Sequence, residues 1–276
     1  MRLVLAALLF TACGGGGASD EPEPFQDPTL SVGGVHACAV DGFGALVCWG
    51  ANHRGQSEQS GTDGWATVDA GDSHSCALTL DGALSCWGRG GTNDPGPFDA
   101  VSAGGNVTCA LAGESVTCWG ATASAGRFTQ VSADMNHACG LTTAGEVLCW
   151  GDDTYGQASP PGGSFTAVGA GEAHSCALGQ DGVPVCWGND DADQLMGIPT
   201  FALQTLTVGG THACGLDKDG AAHCWGQDSR GMATPPEGES FVQLAAGKSN
   251  TCGLRADGVV LCWGSNGDGQ SEPPAL

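Results

Sequence analysis

The sequence predicts an all-β fold, a seven-bladed β-propeller built from seven short repeats that each carry a hairpin disulfide. A Cys-Trp-Gly triplet occurs seven times, and a partner cysteine precedes every triplet at an almost fixed distance. The first cysteines of successive repeats lie 30 to 38 residues apart, a period typical of repeat architectures. Seven all-β units favour radial closure, because closure leaves only short, protected sheet edges.

Each repeat is predicted to form three strands. In the second repeat, Val68–Ala70 alternates apolar and polar residues and ends at Gly71. A second strand around Cys76 and a third over Ala83–Trp87 flank the dipeptide Asp81-Gly82. Because Asp-Gly between two such runs is a strong hairpin signal, the second and third strands are predicted to pair.

The cysteine spacing predicts the register of this hairpin. If Cys76 faces Cys86, then Thr79 faces Ala83 and the loop has three residues with glycine last, as in a type I turn with a G1 bulge. All six repeats with ten-residue cysteine spacing have that glycine: Gly44, Gly82, Gly145, Gly182, Gly220 and Gly258. The shorter third repeat has Gly113-Glu114, which fits a two-residue type II′ turn.

In both versions the cysteines form a non-hydrogen-bonded pair, where opposed side chains come closest, so seven cross-strand disulfides are predicted. The pairs are Cys38–Cys48, Cys76–Cys86, Cys109–Cys118, Cys139–Cys149, Cys176–Cys186, Cys214–Cys224 and Cys252–Cys262. The alternative is a set of reduced, buried cysteines that act as small hydrophobic residues. Zinc is disfavoured, because no Cys-x-x-Cys pair occurs.

The beginning of the chain predicts export. Residues 1–12 are a short basic start and an apolar run, typical of a secretory signal peptide. Phe10-Thr11-Ala12-Cys13 resembles a bacterial lipoprotein cleavage box, which implies cleavage before Cys13 and lipid attachment to it. Cys13 is also the one cysteine of fifteen that the seven pairs leave over. The alternative is an ordinary signal peptide with a chance cysteine, and a secreted protein.

The rest of the chain divides into a tether and the repeats. Residues 13–28 are rich in glycine, proline and acidic side chains and are interpreted as a flexible lipidated tether. Residues 29–276 are interpreted as the propeller. The tryptophans of the triplets are predicted to pack between adjacent blades: Trp49, Trp87, Trp119, Trp150, Trp187, Trp225 and Trp263. The polar, variable segments after them are interpreted as outer turns and irregular edge strands.

Several motifs resemble a known repeat. Gly-Glu-Ala-His-Ser-Cys-Ala-Leu at 171–178 and Cys-Trp-Gly at 186–188 are similar to the regulator of chromosome condensation repeat, as is Trp-Gly-Asp-Asp-Thr-Tyr-Gly-Gln at 150–157. The resemblance covers all seven units and implies a seven-bladed β-propeller. The paired cysteines and short units resemble bacterial secreted members and the cysteine-rich ectodomain repeats of a plant receptor-kinase group. Family blades come from longer units, so some blades are expected to lack a full fourth strand.

Five histidines share one repeat position, two residues before the first cysteine: His36, His74, His137, His174 and His212. Val107 and Asn250 take this position in the third and seventh repeats. The recurrence favours a structural role, in which each imidazole satisfies buried backbone groups of its own blade, over a ring of metal ligands.

Acidic residues are frequent after the tryptophans: Asp152, Asp153, Asp190, Asp191, Asp193 and Asp268. None of these runs matches a complete calcium-binding loop, so we predict that they form turns and that the chain uses no metal or other cofactor. The sequence also contains no nucleophile elbow, phosphate-binding glycine loop or zinc-hydrolase motif, and no catalytic residue is predicted.

The charge of the chain excludes one class of partner. Its formal net charge is −22 with only eight basic residues, whereas binding to a phosphate backbone needs clustered Lys and Arg. The sequence therefore predicts no nucleic-acid partner, and the chromatin-binding role of the family's namesake does not transfer. A strongly acidic surface favours solubility and cationic partners.

These observations predict a non-enzymatic lipoprotein of a bacterial cell envelope, anchored by its lipid alone at the outer membrane or cell surface. Its propeller would bind an extracellular protein or glycan through variable loops. The candidate contact residues are Asn52, His53, Arg54, Tyr155 and Arg230. The alternatives are a polysaccharide hydrolase or lyase, with carboxylates that converge at one end of the axis, and a structural envelope component without a discrete ligand.

Overall fold

The computed structural model describes residues 28–58 and 64–275. These residues form seven small antiparallel sheets and no helix, so the described part of the chain has no helix that could cross a bilayer. The predicted signal peptide, the predicted lipidation site Cys13 and the tether up to residue 27 lie outside the described residues.

Every sheet is a meander of strands that are consecutive in the chain, which confirms the predicted order of strands within a repeat. The strands of sheets 1 to 3 are β1 (Thr29–Val32), β2 (His36–Val40), β3 (Leu46–Gly50); β4 (Trp65–Ala70), β5 (His74–Thr79), β6 (Leu84–Gly88), β7 (Asn93–Asp94); β8 (Ala100–Ala103), β9 (Thr108–Ala112) and β10 (Ser115–Trp119). Sheets 4 and 5 contain β11 (Phe128–Asp134), β12 (His137–Thr142), β13 (Val147–Gly151); β14 (Phe165–Ala170), β15 (His174–Gly179) and β16 (Pro184–Gly188). Sheets 6 and 7 contain β17 (Thr207–Val208), β18 (His212–Leu216), β19 (Ala222–Gly226); β20 (Gln243–Ala246), β21 (Asn250–Leu254) and β22 (Val260–Gly264).

The hairpin register is the predicted one. Cys76 lies opposite Cys86, and the Thr79 N–H donates to the Ala83 carbonyl at 3.0 Å. Gly82 has a φ of +86°, the left-handed conformation that the G1 bulge requires. In sheet 3, Ala112 pairs with Ser115 across a two-residue turn in which Gly113 has a φ of +60°.

All seven predicted disulfides are formed, each within one hairpin. The Cα atoms of each pair lie 4.0 or 4.1 Å apart, as expected for a non-hydrogen-bonded pair. The first cysteine of every pair is fully buried. The disulfides therefore lie inside the interfaces between sheets, and the alternative of reduced cysteines is wrong.

The expectation that some blades lack a full fourth strand is confirmed, whereas the predicted irregular edge strands are missing from most of the described repeats. Within residues 28–58 and 64–275, only sheet 2 has a fourth strand, β7, which pairs with β6. The other six sheets end at the third strand and continue into turns. In sheet 2 the chain reverses within Arg89–Thr92, so the returning segment stays within reach of β6.

The sheets pack in sequence order, and the last sheet packs against the first. Leu30 and Val32 of β1 share a buried cluster with Ala245 of β20 and Leu254 of β21. Gln243 joins the same two sheets with a bidentate contact, because its side chain accepts the Leu30 N–H at 3.1 Å and donates to the Leu30 carbonyl at 3.0 Å. The first and last repeats are therefore neighbours in space although they are more than 200 residues apart.

Each tryptophan of a Cys-Trp-Gly triplet packs on the preceding sheet, which confirms the predicted position between sheets. Trp87 of sheet 2 joins the cluster of Val40 and Leu46 from sheet 1. Trp49 of sheet 1 joins the cluster of sheet 7. The other five tryptophans follow the same rule around the molecule.

The meander gives the sheets two distinct ends. The turn between the first and second strand lies at one end, and the segment after the third strand begins beside it, since the Ala51 N–H donates to the Val35 carbonyl at 2.9 Å and the Asp152 N–H to the Asn136 carbonyl at 3.0 Å. We call this end the turn face. The opposite end carries the disulfide-bridged hairpin loops, and we call it the hairpin face.

Candidate functional site

A channel runs along the middle of the molecule. Its cavity of about 220 Å³ is lined by the first strands of all seven sheets and by the turns that follow them. Side chains bridge these strands: the Ser31 hydroxyl accepts the Ala70 N–H at 3.0 Å, and the Ser102 hydroxyl accepts the Ala133 N–H at 2.9 Å. The channel wall is thus held by hydrogen bonds between side chains and backbone.

Asp69 is the charged member of this wall. Its carboxylate accepts the Ser31 hydroxyl at 2.5 Å and the Ala103 N–H at 2.6 Å, and so joins sheets 1, 2 and 3. Burial raises the pKa of Asp69, while these hydrogen bonds act in the opposite direction. The carboxyl group is fully used by its own neighbours, which indicates a structural role.

A ring of backbone hydrogen bonds surrounds the channel at the turn face. Typical links are Gly34 N–H to the Gly71 carbonyl at 3.2 Å and Lys248 N–H to the Gly33 carbonyl at 3.2 Å, the second of which joins sheet 7 to sheet 1. Six repeats have glycine three residues before the histidine position, where neighbouring backbone leaves no space for a Cβ. The fourth repeat has Asp134 there instead. Four of these glycines accept such a bond: Gly33, Gly71, Gly104 and Gly247.

Four charged side chains gather at this mouth of the channel: Asp72, Asp134, Glu172 and Lys248. Lys248 donates to the Glu172 carboxylate at 3.2 Å. Burial lowers the pKa of Lys248, but the carboxylates of Asp72 and Glu172 outweigh that effect and raise it. Burial, together with the charge of Asp72, raises the pKa of Asp134 to about 7. The mouth is therefore acidic, with one lysine that stays charged.

The five histidines connect neighbouring sheets. The Nε2 atoms of His36, His74, His137 and His212 lie 2.7 to 2.8 Å from a hydroxyl group of the next sheet. These hydroxyls belong to Ser75, Thr108, Ser175 and Thr251, each of which directly follows the histidine position of its own repeat. The prediction of backbone partners within the same blade is wrong. The described residues hold no cluster of His, Cys, Asp and Glu able to bind a metal ion.

The direction of these hydrogen bonds follows from a third group. The Ser75 hydroxyl donates to the Gln56 carbonyl at 2.9 Å, so it accepts from His36, whose Nε2 carries the proton. Burial lowers the pKa of His36, His137 and His212 to about 4 and that of His174 to about 3. The imidazoles are therefore neutral at pH 7.

His174 breaks this pattern, because the next sheet has Ala213 where a hydroxyl would be expected. Both ring nitrogens of the buried His174 lack a partner among the described residues. We expect Ala213→Ser to supply an acceptor for His174 Nε2, and to raise the free energy of unfolding by about 1 kcal/mol. Thermal unfolding would show a midpoint higher by roughly 2–4 °C.

The matched control is Ala138→Ser, at the same repeat position but opposite Val107 instead of a histidine. This variant gains no donor, so its stability should stay unchanged or fall. If both serine variants changed the midpoint equally, the proposed pairing of His174 with a new hydroxyl would be refuted.

Acid should destabilise the fold. Burial lowers the pKa of all five histidines, to about 4 for His36, His137 and His212. Below pH 6.5 the unfolded chain binds protons at these side chains while the folded chain resists them, so stability is lost as the pH falls from 6.5 towards 4. Asp134 acts oppositely: its folded pKa of about 7 lies above its ordinary value, so its contribution to stability grows as the pH falls from 7 towards 4. Asp69, whose pKa burial also raises, acts in the same direction as Asp134. Because five histidines outweigh these two carboxyl groups, the unfolding midpoint should fall by roughly 10 °C between pH 7 and pH 4.5.

Asp134→Gly, which restores the residue of the other six repeats, is the control for this prediction. It removes the one opposing contribution at the mouth, so its midpoint should fall further on acidification than that of the natural chain. A midpoint that is constant from pH 7 to 4.5 in both proteins would contradict the assignment of neutral histidines.

The segments after the third strands form outer turns of one design in five repeats: residues 51–58, 152–159, 189–196, 227–234 and 265–272. Each has two successive turns. In the segment 51–58, Asn52 Oδ1 accepts the Ser57 N–H at 3.1 Å. At the same place in the segment 152–159, Asp153 Oδ1 accepts the Ala158 N–H at 2.8 Å. The bond to Asp153 and the equivalent bond from the Leu195 N–H to Asp190 Oδ1 at 2.9 Å confirm the predicted turn-forming role for these two aspartates.

The structure places the predicted contact residues on the turn face, in three different outer turns. His53 and Arg54 are exposed beside Asn52, and His53 lies 3.5 Å from Asp268 of the seventh repeat. Arg230 donates to the Ser265 hydroxyl at 3.2 Å, and Tyr155 is 53% exposed. The five residues share one face but are not brought together at a single point. The charged mouth of the channel was not predicted from the sequence. A signal was present, because Asp72, Glu172 and Lys248 each follow the repeated glycine directly and Asp134 takes the place of that glycine.

Comparisons with known proteins agree with this architecture. Residues 65–93, 128–157, 205–231 and 241–270 match the Regulator of chromosome condensation (RCC1) repeat. The ectodomain of the Physcomitrella patens receptor kinase CR4 is 27% identical with a TM-score of 0.74, over 87% of this chain and 74% of that one. The CRINKLY WD40 ectodomain of the Arabidopsis thaliana receptor kinase ACR4 is 26% identical with a TM-score of 0.74, over 91% of this chain and 98% of that one.

A more distant structure has the same fold. Prp20p from Saccharomyces cerevisiae, a protein described with its binding to Gsp1p and histones, is 17% identical with a TM-score of 0.55, over 89% of this chain and 74% of that one. No curated protein matches the chain. Four segments of this chain therefore match the regulator of chromosome condensation repeat, and the antiparallel sheets in which they lie agree with that match.

Proposed function

We propose that the chain is a non-enzymatic, seven-bladed propeller that binds a protein partner outside the cell through its turn face. The observation that carries the proposal is the contrast between a repeated interior and a varied surface. Cysteine and tryptophan recur between the sheets of every repeat and glycine recurs in the hairpin turns, whereas the exposed outer turns differ in sequence from repeat to repeat. A rigid scaffold with variable exposed loops is the usual design of a binding module.

The location outside the cell is supported by the disulfides. Seven hairpin disulfides persist in oxidising compartments and are rare in the cytosol. Two similar structures are receptor ectodomains. We propose that residues 29–276 form the propeller, and that the N-terminal segment directs export, with Cys13 as a lipid anchor. Labelling with a radioactive fatty acid would test the anchor, because Cys13→Ser should abolish incorporation.

The charge of the turn face indicates the kind of partner. Asp72, Asp134 and Glu172 surround the channel mouth, and exposed aspartates occupy the outer turns around it. Such a surface attracts basic partners and accelerates their association at low ionic strength. Tyr155 adds an exposed aromatic ring, a residue type enriched at binding hot spots. We propose that the partner presents a basic surface and that Asn52, His53, Arg54, Tyr155 and Arg230 contribute contacts.

Affinity capture tests this function. The oxidised full chain is immobilised and incubated with the envelope and secreted fractions of the source cell at low salt, then washed at high salt. We expect one protein in stoichiometric amount, with faster association at low salt. A capture that retains polysaccharide but no protein, or that retains nothing, would contradict the proposal.

A second candidate function has one observation in its favour. A polysaccharide-acting enzyme would need carboxylates that converge at one end of the channel, and Asp72, Asp134 and Glu172 do so. The pKa of Asp134 near 7 suits a general acid. Binding is nevertheless favoured, because Glu172 is paired with Lys248 and Asp134 accepts its own neighbour's N–H at 2.7 Å. Release of reducing sugar by the natural chain, lost in Asp134→Asn, would support the enzyme instead.

A further inference from the structure

A second cavity, of about 240 Å³, lies between sheets 2 and 3. It is lined by His74 and Cys86 of sheet 2, by Thr108 and Trp119 of sheet 3, and by Arg89 and Asn106 at its rim. It is distinct from the axial channel, since the two share no lining residue. The cavity exists because this interface is filled differently from most of the other interfaces between sheets.

In five interfaces the outer turn of one sheet fills the space beside the next sheet. A Cβ on Gly88 would lie 3.1 Å from Gln56 Cα, and one on Gly188 would lie 3.2 Å from Gln157 Cα. The same contact recurs at Gly50, Gly226 and Gly264. The turn therefore acts as a plug that closes the interface from the turn face.

In four of these five interfaces a backbone carbonyl of the plug accepts the tryptophan indole N–H of the next sheet. In the fifth, Trp225 Nε1 has no partner among the described residues. The Gln56 carbonyl accepts the Trp87 indole N–H at 2.8 Å and the Ser75 hydroxyl at 2.9 Å. The carbonyls of residues 157 and 232 each accept the matching tryptophan and hydroxyl in the same way, at 2.9 to 3.0 Å. A carbonyl oxygen has two lone pairs, so one oxygen serves both donors.

Sheets 2 and 3 have no such plug, because their segments after the third strand are too short. At the interface of sheets 3 and 4 the space is apolar and filled: Ala121 and Ala123 pack with Val107, Ala138 and Trp150. At the interface of sheets 2 and 3 the polar pair is retained, since His74 Nε2 lies 2.8 Å from Thr108 Oγ1. This interface therefore has the tryptophan and hydroxyl donors, but no outer turn of the described chain supplies the backbone carbonyl that would accept from them.

Two donors consequently face an open cavity. Within the described residues, neither the Trp119 indole N–H nor the Thr108 hydroxyl has a backbone carbonyl as acceptor, and the Arg89 side chain has no hydrogen bond or ion pair. The Trp119 ring is fixed in place by an edge contact with Phe98, at 5.9 Å between ring centroids. The donors are thus pre-organised around the position that the carbonyl oxygens of Gln56, Gln157 and Met232 occupy in their interfaces.

We propose that this cavity binds a peptide carbonyl group that a turn of a partner protein inserts, in the way that the chain's own outer turns fill the other interfaces. A neutral carbonyl is preferred to a carboxylate because the protein carries a net charge of −22. The cavity is smaller than typical pockets for drug-sized ligands, which matches the tip of a turn. This inference refines the proposed protein-binding function and rests on it.

The test is a titration of the full, oxidised, ¹⁵N-labelled chain, observed through its tryptophan indole N–H resonances. The probes are acetamide, acetate and the capped peptide Asp-Asp-Thr-Tyr-Gly-Gln-Ala-Ser, which is the sequence of the chain's own outer turn at 152–159. Trp119→Phe identifies the resonance of Trp119. We expect acetamide and the peptide to move that resonance downfield while the indoles of Trp87, Trp187 and Trp263, already bonded to carbonyls, stay in place.

Thr108→Val removes one of the two donors and keeps the shape of the cavity, so it should weaken binding of the peptide by about fivefold to tenfold. The matched control is Thr251→Val, at the same position in a plugged interface, which should leave binding unchanged. An unmoved Trp119 resonance, or equal binding by the two valine variants, would overturn the proposal. Tighter binding of acetate than of acetamide would overturn the assignment of a neutral carbonyl.

The outcome is separable from that of the proposed function. A partner captured equally by the natural chain and by Thr108→Val would overturn the carbonyl site while the binding module stands. If acetamide and the peptide shift the Trp119 resonance as expected but the affinity capture retains no protein, the carbonyl site is supported and the proposed protein-binding function is contradicted.

Discussion

Reduction of the seven hairpin disulfides is expected to lower the thermal unfolding midpoint of the chain by at least about 20 °C, or to abolish cooperative unfolding. Each disulfide closes a loop with a cysteine separation of 9 or 10 residues, for which chain-entropy estimates give about 2–3 kcal/mol. Among the described residues, six of the seven sheets have only three strands, so each unit buries little surface on its own. The cross-links therefore stabilise units that are weak by themselves.

Calorimetry of the oxidised chain and of a chain reduced under denaturing conditions and kept in reductant measures this effect. The denaturing step is needed because the first cysteine of each pair is fully buried. Addition of a chelator is the control, and it should leave the midpoint unchanged. Equal midpoints with and without reductant would show that packing alone holds the sheets together.

Trp49→Ala is expected to cost about 3–5 kcal/mol, the usual range for removal of a large buried aromatic side chain. Trp49 fills the interface between the first and last sheets, and its indole N–H donates to the Gln270 carbonyl at 3.0 Å. The variant should also free the outer turn around Gln270, because this turn loses the ring against which it packs. Urea unfolding gives the energy, and amide hydrogen exchange of residues 265–272 gives the local effect.

Trp119→Ala is the matched control, since Trp119 has the same place in its repeat. Its ring is partly exposed, lines the open cavity and lacks a carbonyl partner among the described residues. We expect it to cost less than half as much as Trp49→Ala. An equal or greater cost would contradict the view that the contact of sheet 7 with sheet 1 closes the ring and that the interface of sheets 2 and 3 is incomplete.

The hairpins could be predicted from sequence because the information that specifies them is local. A spacing of ten between cysteines, with glycine six residues after the first, allows one register only, and Gly82 adopts the positive φ that this register requires. The position of Trp87 could be predicted in the same way, because it directly follows Cys86 and neighbouring side chains of a strand point to opposite faces. Such features depend on residues within one repeat, so they can be predicted without knowing how the repeats are placed relative to one another.

The contacts between repeats were harder to predict, because they join positions about 38 residues apart. The partner of His36 is the Ser75 hydroxyl of the next repeat, and the signal was the alternation of Ser, Thr and Ala directly after the histidine position. The cavity between sheets 2 and 3 depends on a segment that is absent, Arg89–Thr92 being too short to form a plug. The short interval of 33 residues between Cys76 and Cys109 was visible in the sequence, but the cavity that results could be seen only once the neighbouring sheet was in place.

A pair of matched variants shows whether a partner binds the turn face. Tyr155 on the turn face and Leu80 on the hairpin face are exposed to 53% and 58% respectively. We would measure the affinity of the captured partner for Tyr155→Ala and Leu80→Ala. The proposal predicts a loss of roughly tenfold or more for Tyr155→Ala and no change for Leu80→Ala. Loss of binding in Leu80→Ala with full binding in Tyr155→Ala would place the partner on the hairpin face and contradict the proposal.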